Sequence, residues 1–121
     1  DKCCHNARLI GDDSGTNIIA VPYDFDSSGF VDTHYAAPNE FLGIRSVTQR
    51  LYRGYCAHNS AMEAVRQQYI AEEADIMGLI SAESRLSSRS AKTASKFVGK
   101  FFETLKSDKD FQKDIMEKCR K

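Results

Sequence analysis

The sequence lacks an excess of charge of either sign, and this limits the partners it can bind. Lysine and arginine together number 17, and aspartate and glutamate also number 17, so the formal net charge is zero. Proteins that bind nucleic acids or anionic membrane surfaces carry an excess of basic residues that neutralises phosphates. We therefore predict that the chain binds no nucleic acid and is not held at a membrane by a polybasic surface.

Long hydrophobic runs are also missing. The longest uninterrupted apolar stretch runs only from Ile18 to Val21, whereas a membrane-spanning helix needs about 20 residues. No membrane insertion is expected. The chain begins at Asp1 and has no basic and apolar regions of a signal peptide. Its length fits a single domain over residues 1–121, which we interpret as the C-terminal segment of a longer protein.

The spacing of the four cysteines excludes common zinc sites. The cysteines are Cys3, Cys4, Cys56 and Cys119, and no two of them have the Cys-x-x-Cys spacing, so a zinc ribbon is not expected. Adjacent Cys3 and Cys4 seldom bridge each other, because the ring would strain the peptide between them. Four cysteines can pair in three ways, and the sequence does not choose among them. Buried thiols and one disulfide are both open; a disulfide would favour an exported or periplasmic location.

The N-terminal part of the chain has the pattern of a β-hairpin followed by a long loop. Residues 7–10 read as a short strand, residues 11–16 as a dense turn, and residues 17–21 as a second, β-branched strand. Pro22 prevents the second strand from continuing as a central strand. The loop at 24–40 has no regular period, and its aromatic side chains favour an ordered loop with a function.

The remainder of the chain has the pattern of amphipathic helices. Residues 46–55 are consistent with a short helix that Gly54 closes. Ser60 and Glu63 have the spacing of a capping box, so a longer helix is predicted to begin there. Its middle is the weakest part, because Glu72 and its neighbour interrupt the apolar face. That face consists of Met62, Val65, Tyr69, Ile76 and Ile80.

Two further helices have serine caps. Ser87 and Ser88 precede the first, and Ser107 precedes the second, with Asp108 and Asp110 at the positive end of its dipole. The apolar face of the first consists of Ala94, Phe97, Val98, Phe101, Phe102 and Leu105, and that of the second of Phe111, Ile115 and Cys119.

The predicted fold class is therefore α+β. An N-terminal β-hairpin and a long ordered loop, over residues 1–45, are expected to pack against three or four C-terminal amphipathic helices, over residues 46–121. We expect these helices to pack on one another and to cover one side of the hairpin, since burying each large apolar side chain gains about 1.5–3 kcal/mol.

The segment DFDSSG at residues 24–29 is the strongest candidate for a functional site. Asp24 and Asp26 directly follow an apolar strand, and Gly29 would allow a sharp turn around an ion. Hard cations such as Mg²⁺, Mn²⁺ and Ca²⁺ take carboxylate oxygens as ligands. A turn in which the aspartates only cap backbone amides explains the same residues equally well.

Calcium binding is one functional interpretation of this loop. With Asp24 as position 1, Asp26 stands at position 3, Gly29 at 6 and Asp32 at 9, which matches much of an EF-hand loop. The match fails at position 12, which is Tyr35 rather than glutamate, and a strand precedes the loop instead of a helix. The alternatives are a non-enzymatic module with a looser calcium-binding or purely structural acidic loop, and a helical interaction domain.

Phosphoryl transfer is the other interpretation. Protein kinases place an asparagine before a pair of hydrophobic strands and a metal-holding aspartate after it. Asn6 precedes the first predicted strand here, and Asp24 and Asp26 follow the second; in an antiparallel hairpin those ends are neighbours. We therefore predict Asn6, Asp24 and Asp26 as ligands of Mg²⁺ or Mn²⁺. Arg50 and Arg53, on one face of the predicted short helix, would pair with the loop carboxylates or bind phosphate.

Three segments carry a resemblance to a known group of proteins: HNARLI at 5–10, VPYDFDSSG at 21–29 and RLYRGYC at 50–56. The chain resembles, over nearly its whole length, the C-terminal part of a bacterial family of uncharacterised, often exported proteins with the pattern PYDFDxSG followed by RLYRG. That family implies no activity. More remotely, residues 22–26 are similar to the Pro-Trp-Asp-x-Asp element of CotH-type spore-coat kinases. This resemblance implies that Asn6 and Asp24, with Asp26 as a second carboxylate, hold the metal of ATP.

Other parts of a kinase are missing from the sequence. It contains no Gly-rich phosphate loop, no evident Lys–Glu pair for ATP and no His-Arg-Asp base. The prediction is therefore the metal-binding C-terminal segment of a kinase-like phosphotransferase, which binds ATP only together with an upstream lobe. An upstream N-terminal region of the same protein is the expected partner. Whether the chain itself catalyses a reaction is left open by the sequence.

Overall fold

The computed structural model describes residues 6–121, so Cys3 and Cys4 lie outside the described residues. Two strands, β1 (Ala7–Ile10) and β2 (Ile19–Pro22), are followed by four α-helices. The helices are α1 (Met62–Ala71), α2 (Glu73–Ala82), α3 (Ser88–Lys106) and α4 (Asp108–Asp114), and short 3₁₀ turns cover Glu40–Leu42, Cys56–Ala61 and Met116–Lys118. This order confirms the predicted α+β fold class.

The hairpin is antiparallel and nearly as the sequence predicted it. The register pairs Ala7 with Pro22 and Ile10 with Ile19. Pro22 is therefore the last residue of β2, a position at the end of an edge strand where a residue without an N–H is tolerated. The Asp12 carboxylate orders the turn by accepting hydrogen bonds from the Ser14 amide at 3.1 Å and from Asn17 Nδ2 at 2.6 Å.

Both faces of the hairpin are apolar and both are exposed. The register places Ile10 and Ile19 on one face and Leu9 on the other, and their exposed fractions are 58%, 66% and 63%. None of the side chains of residues 6–55 is buried. The helices therefore leave the strands uncovered, in contrast to the expected packing, and the loop makes the contact with the helices instead. There Phe30 packs edge-to-face on Phe97 of α3, with 6.1 Å between ring centroids.

The predicted long helix is two helices. α1 ends and α2 begins around Glu72, at the position where glutamates interrupt the apolar face. The Ser60–Glu63 capping box does not form, because a 3₁₀ turn occupies Cys56–Ala61 and α1 has no side-chain cap. Ser87 and Ser107 cap α3 and α4 as predicted, accepting hydrogen bonds from the amides of Ser90 and Asp110.

The buried centre of the hydrophobic core lies among the helices, and Tyr52 packs against it from the segment before α1. Its centre consists of Phe102, Leu105, Phe111 and Ile115, and Phe102 is only 1% exposed. The apolar face predicted for α3 is confirmed, since Ala94, Phe102 and Leu105 are its buried residues.

The predicted face of α1 turns to the core but is only partly buried. Met62 packs against the core and Tyr69 packs edge-to-face on Phe101, although Val65 and Tyr69 are still 38% and 44% exposed, and the buried residue of α1 is Arg66. Its guanidinium donates to the Leu105 carbonyl at 2.5 Å and to Asp108 at 2.6 Å, and it lies 4.6 Å from the centre of the Phe111 ring. An arginine is tolerated in this core because hydrogen-bond acceptors and an aromatic ring surround its guanidinium group.

Of the two states left open for the cysteines, buried thiols and one disulfide, the described residues show a disulfide. Cys56 and Cys119 are bonded to each other, with their Cα atoms 5.0 Å apart. Tyr55 and Arg120 form a parallel bridge beside the disulfide. The start of the helical half and the C-terminal residues are therefore joined both covalently and by backbone hydrogen bonds.

Candidate metal site at the open end of the hairpin

The open end of the hairpin brings Asn6 and Asp24 together, as the order of the strands predicts. The Tyr23 amide donates to the Asn6 carbonyl at 2.9 Å, which extends the ladder by one bond. Beyond it, Asn6 Nδ2 donates to the Asp24 carbonyl at 3.1 Å. This bond uses the amide nitrogen of Asn6, and its Oδ1 accepts no hydrogen bond from any described residue. The oxygen is thus left available as a ligand.

The two carboxylates of the motif are neighbours and both are exposed. Asp24 has a φ of +59°, a left-handed backbone conformation that aspartate and asparagine adopt more readily than most residues. The Asp24 side chain is close enough to Asp26 to contribute to the lowered pKa of that carboxyl group. Asn6, Asp24 and Asp26 therefore lie at one end of the hairpin, beside solvent.

Asp26 is held by the far side of the loop. The Tyr35 hydroxyl donates to Asp26 Oδ2 at 3.0 Å, and the Ser27 hydroxyl donates to Oδ1 at 3.2 Å. The Thr33 hydroxyl donates to the backbone carbonyl of Asp26 at 2.9 Å. The Tyr35 hydrogen bond is the main reason that the pKa of Asp26 lies below its ordinary value, and the Ser27 and Asp24 side chains add to the effect.

Gly29 has a different role from the one predicted. Its φ is not in the left-handed region, so it makes no special turn around an ion. A Cβ at this position would stand 2.1 Å from the Val47 carbonyl oxygen and 2.9 Å from Thr48 Cα. Glycine is required because the acidic loop lies directly against the backbone of residues 47–48.

The arginine segment, residues 46–55, is not a helix, which corrects the sequence prediction. Its first residues form a turn in which the Gln49 amide donates a hydrogen bond to the Ser46 carbonyl at 3.1 Å, and the segment then continues without regular structure to Tyr55. Gly54 closes no helix: a Cβ there would meet the Tyr52 ring, so it permits the close approach of that ring. The physical reason is packing, since Tyr52 reaches Met62 and the core beneath α1.

Neither Arg50 nor Arg53 forms an ion pair with the acidic loop in the part of the chain that the structure describes. The Arg50 guanidinium stacks 4.0 Å from the centre of the Phe97 ring and donates to the Phe97 carbonyl. Partial burial there lowers the pKa of Arg50, yet an arginine stays protonated at any physiological pH. The Arg53 side chain is exposed and unpaired within residues 6–121, and its carbonyl accepts from Arg120 Nε at 2.8 Å.

A large groove lies elsewhere among the described residues. A groove of about 1040 Å³ runs between the arginine segment, α3 and α4. Lys100 and Lys118 line it together with Asp110 and Asp114, so charges of both signs face it. Asn6, Asp24 and Asp26 do not line this groove, and its mixed charge does not select for an anion. The candidate metal site is thus an exposed surface site and not a pocket.

Several contributors to this region were not identified from the sequence. The sequence marks Tyr35 as one of the aromatic side chains of an ordered loop and as a mismatch at position 12 of a calcium loop, but it does not indicate that the Tyr35 hydroxyl, nine residues after Asp26, donates to the Asp26 carboxylate. Arg66 carried no signal apart from its place beside the predicted apolar face of α1. Within residues 6–121 there is no cluster of three or more His, Cys, Asp or Glu side chains suited to a metal; the candidate site contains two carboxylates and one amide.

Comparisons with known proteins give no further guide to this site. No family model, no curated protein and no solved structure matches the chain. Across the described residues, none of the helices has the length and apolar character required to span a membrane.

Proposed function

We propose that this chain is the metal-binding C-terminal segment of a kinase-like phosphotransferase, in which Asn6, Asp24 and Asp26 hold Mg²⁺ or Mn²⁺. The observation that supports the proposal is the convergence of an amide and two neighbouring carboxylates at the open end of one hairpin. Metal ions in phosphoryl transfer bridge phosphate oxygens and neutralise developing charge. Their ligands must stand together beside open space, where a nucleotide can approach.

The arginines have unequal parts in this proposal. Arg50 is held on Phe97 by stacking and by a hydrogen bond, so it positions the arginine segment against α3. Arg53 is exposed and unpaired among residues 6–121, and its guanidinium is the one free to bind a phosphate group in two-point fashion.

The exposed hairpin supports the view that an upstream region of the same protein packs here. The chain exposes 9585 Å², whereas a compact monomer of 13.6 kDa would expose about 6600 Å². The excess, about 3000 Å² by this scaling, is spread over the chain, including the mostly exposed residues 24–61, and the exposed hairpin contributes part of it. An isolated two-stranded hairpin is marginally stable in water, and this one is apolar on both faces. An upstream lobe that supplies the nucleotide-binding elements would cover these faces.

The metal site is tested by adding Mn²⁺ to the ¹⁵N-labelled chain and following paramagnetic line broadening. We expect selective broadening of the amide signals of Asn6, Asp24 and Asp26, with Mg²⁺ competing. Asp24→Asn should weaken binding at least about tenfold while keeping the positive φ, because asparagine tolerates that conformation. Asp13→Asn, in the exposed hairpin turn, is the matched control and should leave binding unchanged.

Calcium binding is the second candidate, favoured by Asp32 at the ninth position of the loop. Its weakness is structural, because Tyr35 donates to Asp26 at the position where an EF-hand supplies a bidentate carboxylate. A response to Ca²⁺ without one to Mg²⁺ or Mn²⁺, lost in Asp32→Asn, would favour this candidate. No response to any of the three cations would contradict both functions.

The catalytic part of the proposal concerns the longer polypeptide. ATP should bind only when an upstream nucleotide-binding lobe is present, and Asp24→Asn should then abolish phosphate transfer while nucleotide binding without metal persists. A parent gene that encodes no such lobe before Asp1 would contradict the phosphotransferase assignment and leave the metal site to be judged by the titration alone.

A further inference from the structure

The disulfide lies at the centre of a compact contact between two distant parts of the sequence. Cys56 and Cys119 are separated by 63 positions. On one side of the bond, the Cys56 amide donates to the Arg120 carbonyl and the Arg120 amide donates to the Gly54 carbonyl, each at 2.9 Å. The Arg120 guanidinium lies 4.3 Å from the centre of the Tyr55 ring and donates to the Arg53 carbonyl. We call this contact, formed by residues 53–56 and 119–120, the clamp.

The clamp determines where the arginine segment ends. Upstream of it, Tyr52 packs on the helical core and Arg50 stacks on Phe97. Further upstream, residues 47–48 lie directly against Gly29 of the acidic loop. A continuous series of contacts therefore runs from the disulfide through the arginine segment to the loop that contains Asp26.

The noncovalent contacts of the clamp are weak by themselves. Tyr55 is about half exposed, and the backbone bridge is a single residue pair. Within 53–56 and 119–120, every residue is at least partly exposed. The helical core needs none of them, because its buried residues lie between Arg66 and Ile115. The bond between the sulfur atoms is thus the covalent link between the C-terminal residues and the arginine segment, and the nearby hydrogen bonds of Asn59 Nδ2 to the Met116 carbonyl and to Cys119 Sγ are long, at 3.5 Å.

We propose that the Cys56–Cys119 disulfide is a redox-dependent clamp that orders the arginine segment, and that the chain works in an oxidising compartment. A dithiol reductant would donate two electrons and two protons, so that the disulfide becomes two thiols while the dithiol becomes a disulfide. Closing a loop of this length restricts the unfolded chain strongly, and disulfides persist where thiols are not kept reduced. The proposal does not depend on metal binding.

The experiment uses a chain in which Cys3 and Cys4 are serine, so that one pair of thiols remains. Peptide mapping of the unreduced protein should find Cys56 and Cys119 in one cross-linked peptide. Reduction should lower Tm by on the order of 10 °C and accelerate amide hydrogen exchange in residues 47–56 and 118–121. Amides of α3 around Phe102 should lose protection only by the factor that corresponds to the lowered stability of the whole fold, whereas residues 47–56 and 118–121 should lose more.

Two controls separate the clamp from a general loss of stability. Cys56→Ser should match the reduced protein and should not respond to reductant. If that variant fails to fold, reductant titration of the disulfide-bonded protein gives the same comparison. Free thiols at Cys56 and Cys119 in protein made under oxidising conditions would overturn the proposal. So would equal Tm and equal exchange of residues 47–56 in the oxidised and reduced forms.

Discussion

A methyl group added at Gly29 should detach the acidic loop from the arginine segment without unfolding the helices. The added Cβ would stand 2.1 Å from the Val47 carbonyl oxygen and 2.8 Å from its carbonyl carbon. Ordinary contact begins near 3.4 Å, so the two backbones would have to separate by more than about 1 Å. A backbone carbonyl cannot turn away as a flexible side chain can.

The expected cost lies at the upper end of the range for overpacking, about 3 kcal/mol. This corresponds to an increase on the order of 100-fold in the opening equilibrium of the loop. Because the buried core lies between Arg66 and Ile115, we expect the loss to stay local. Hydrogen exchange of residues 24–49 should accelerate on that scale in Gly29→Ala, while the main thermal transition of the helices changes little.

Gly78→Ala supplies the matched control. Gly78 is exposed on α2 and has no atom within 4 Å of the position its Cβ would take. The same substitution there should stabilise the helix by about 0.5–1 kcal/mol. Unchanged exchange of residues 24–49 in Gly29→Ala would refute the close contact between the acidic loop and residues 47–48.

Two further predictions concern the core and the pH response of the loop. Phe102→Ala should lower the free energy of unfolding by about 3–5 kcal/mol. Phe101→Ala should lower it by clearly less, because Phe102 is buried and Phe101 is only partly buried. Equal losses of unfolding free energy in chemical denaturation would contradict this placement. Tyr35→Phe should raise the pKa of Asp26 towards its ordinary value of 3.8, as measured by carboxyl ¹³C NMR. A depressed carboxyl pKa stabilises the fold at neutral pH, and that stabilisation is lost as the pH falls below 3.8 through the lowered pKa. The order of the loop in the parent should therefore decline with acid over this window, and the variant should show a weaker dependence, since the Ser27 and Asp24 contributions remain. An unchanged Asp26 titration would show that Tyr35 does not hold it.

The sequence alone was enough to predict the elements that depend only on neighbouring residues. The first strand and the caps at Ser87 and Ser107 follow from short-range signals: a short run of residues that ends at a dense turn cluster, and a serine hydroxyl that accepts a hydrogen bond from the amide three residues on. The apolar face of α3 follows from helical spacing. The meeting of Asn6 with Asp24 was also predictable, because the two ends of an antiparallel hairpin are always neighbours.

Tertiary contacts decided the rest, because their causes lie far apart in the sequence. The arginine segment is irregular since Tyr52 and Arg50 both pack on the helical half, whereas in a helix residues two positions apart do not share a face. Arg66 is buried beside the expected apolar face of α1 because Asp108 and the Leu105 carbonyl, its hydrogen-bond partners, come from another part of the chain. The partner of Cys56 depends on the path of all four helices, which bring Cys119 to it. Sequence spacing therefore determined which residues share a strand, a cap or a helix face, and the packing of distant segments determined which of those faces meet.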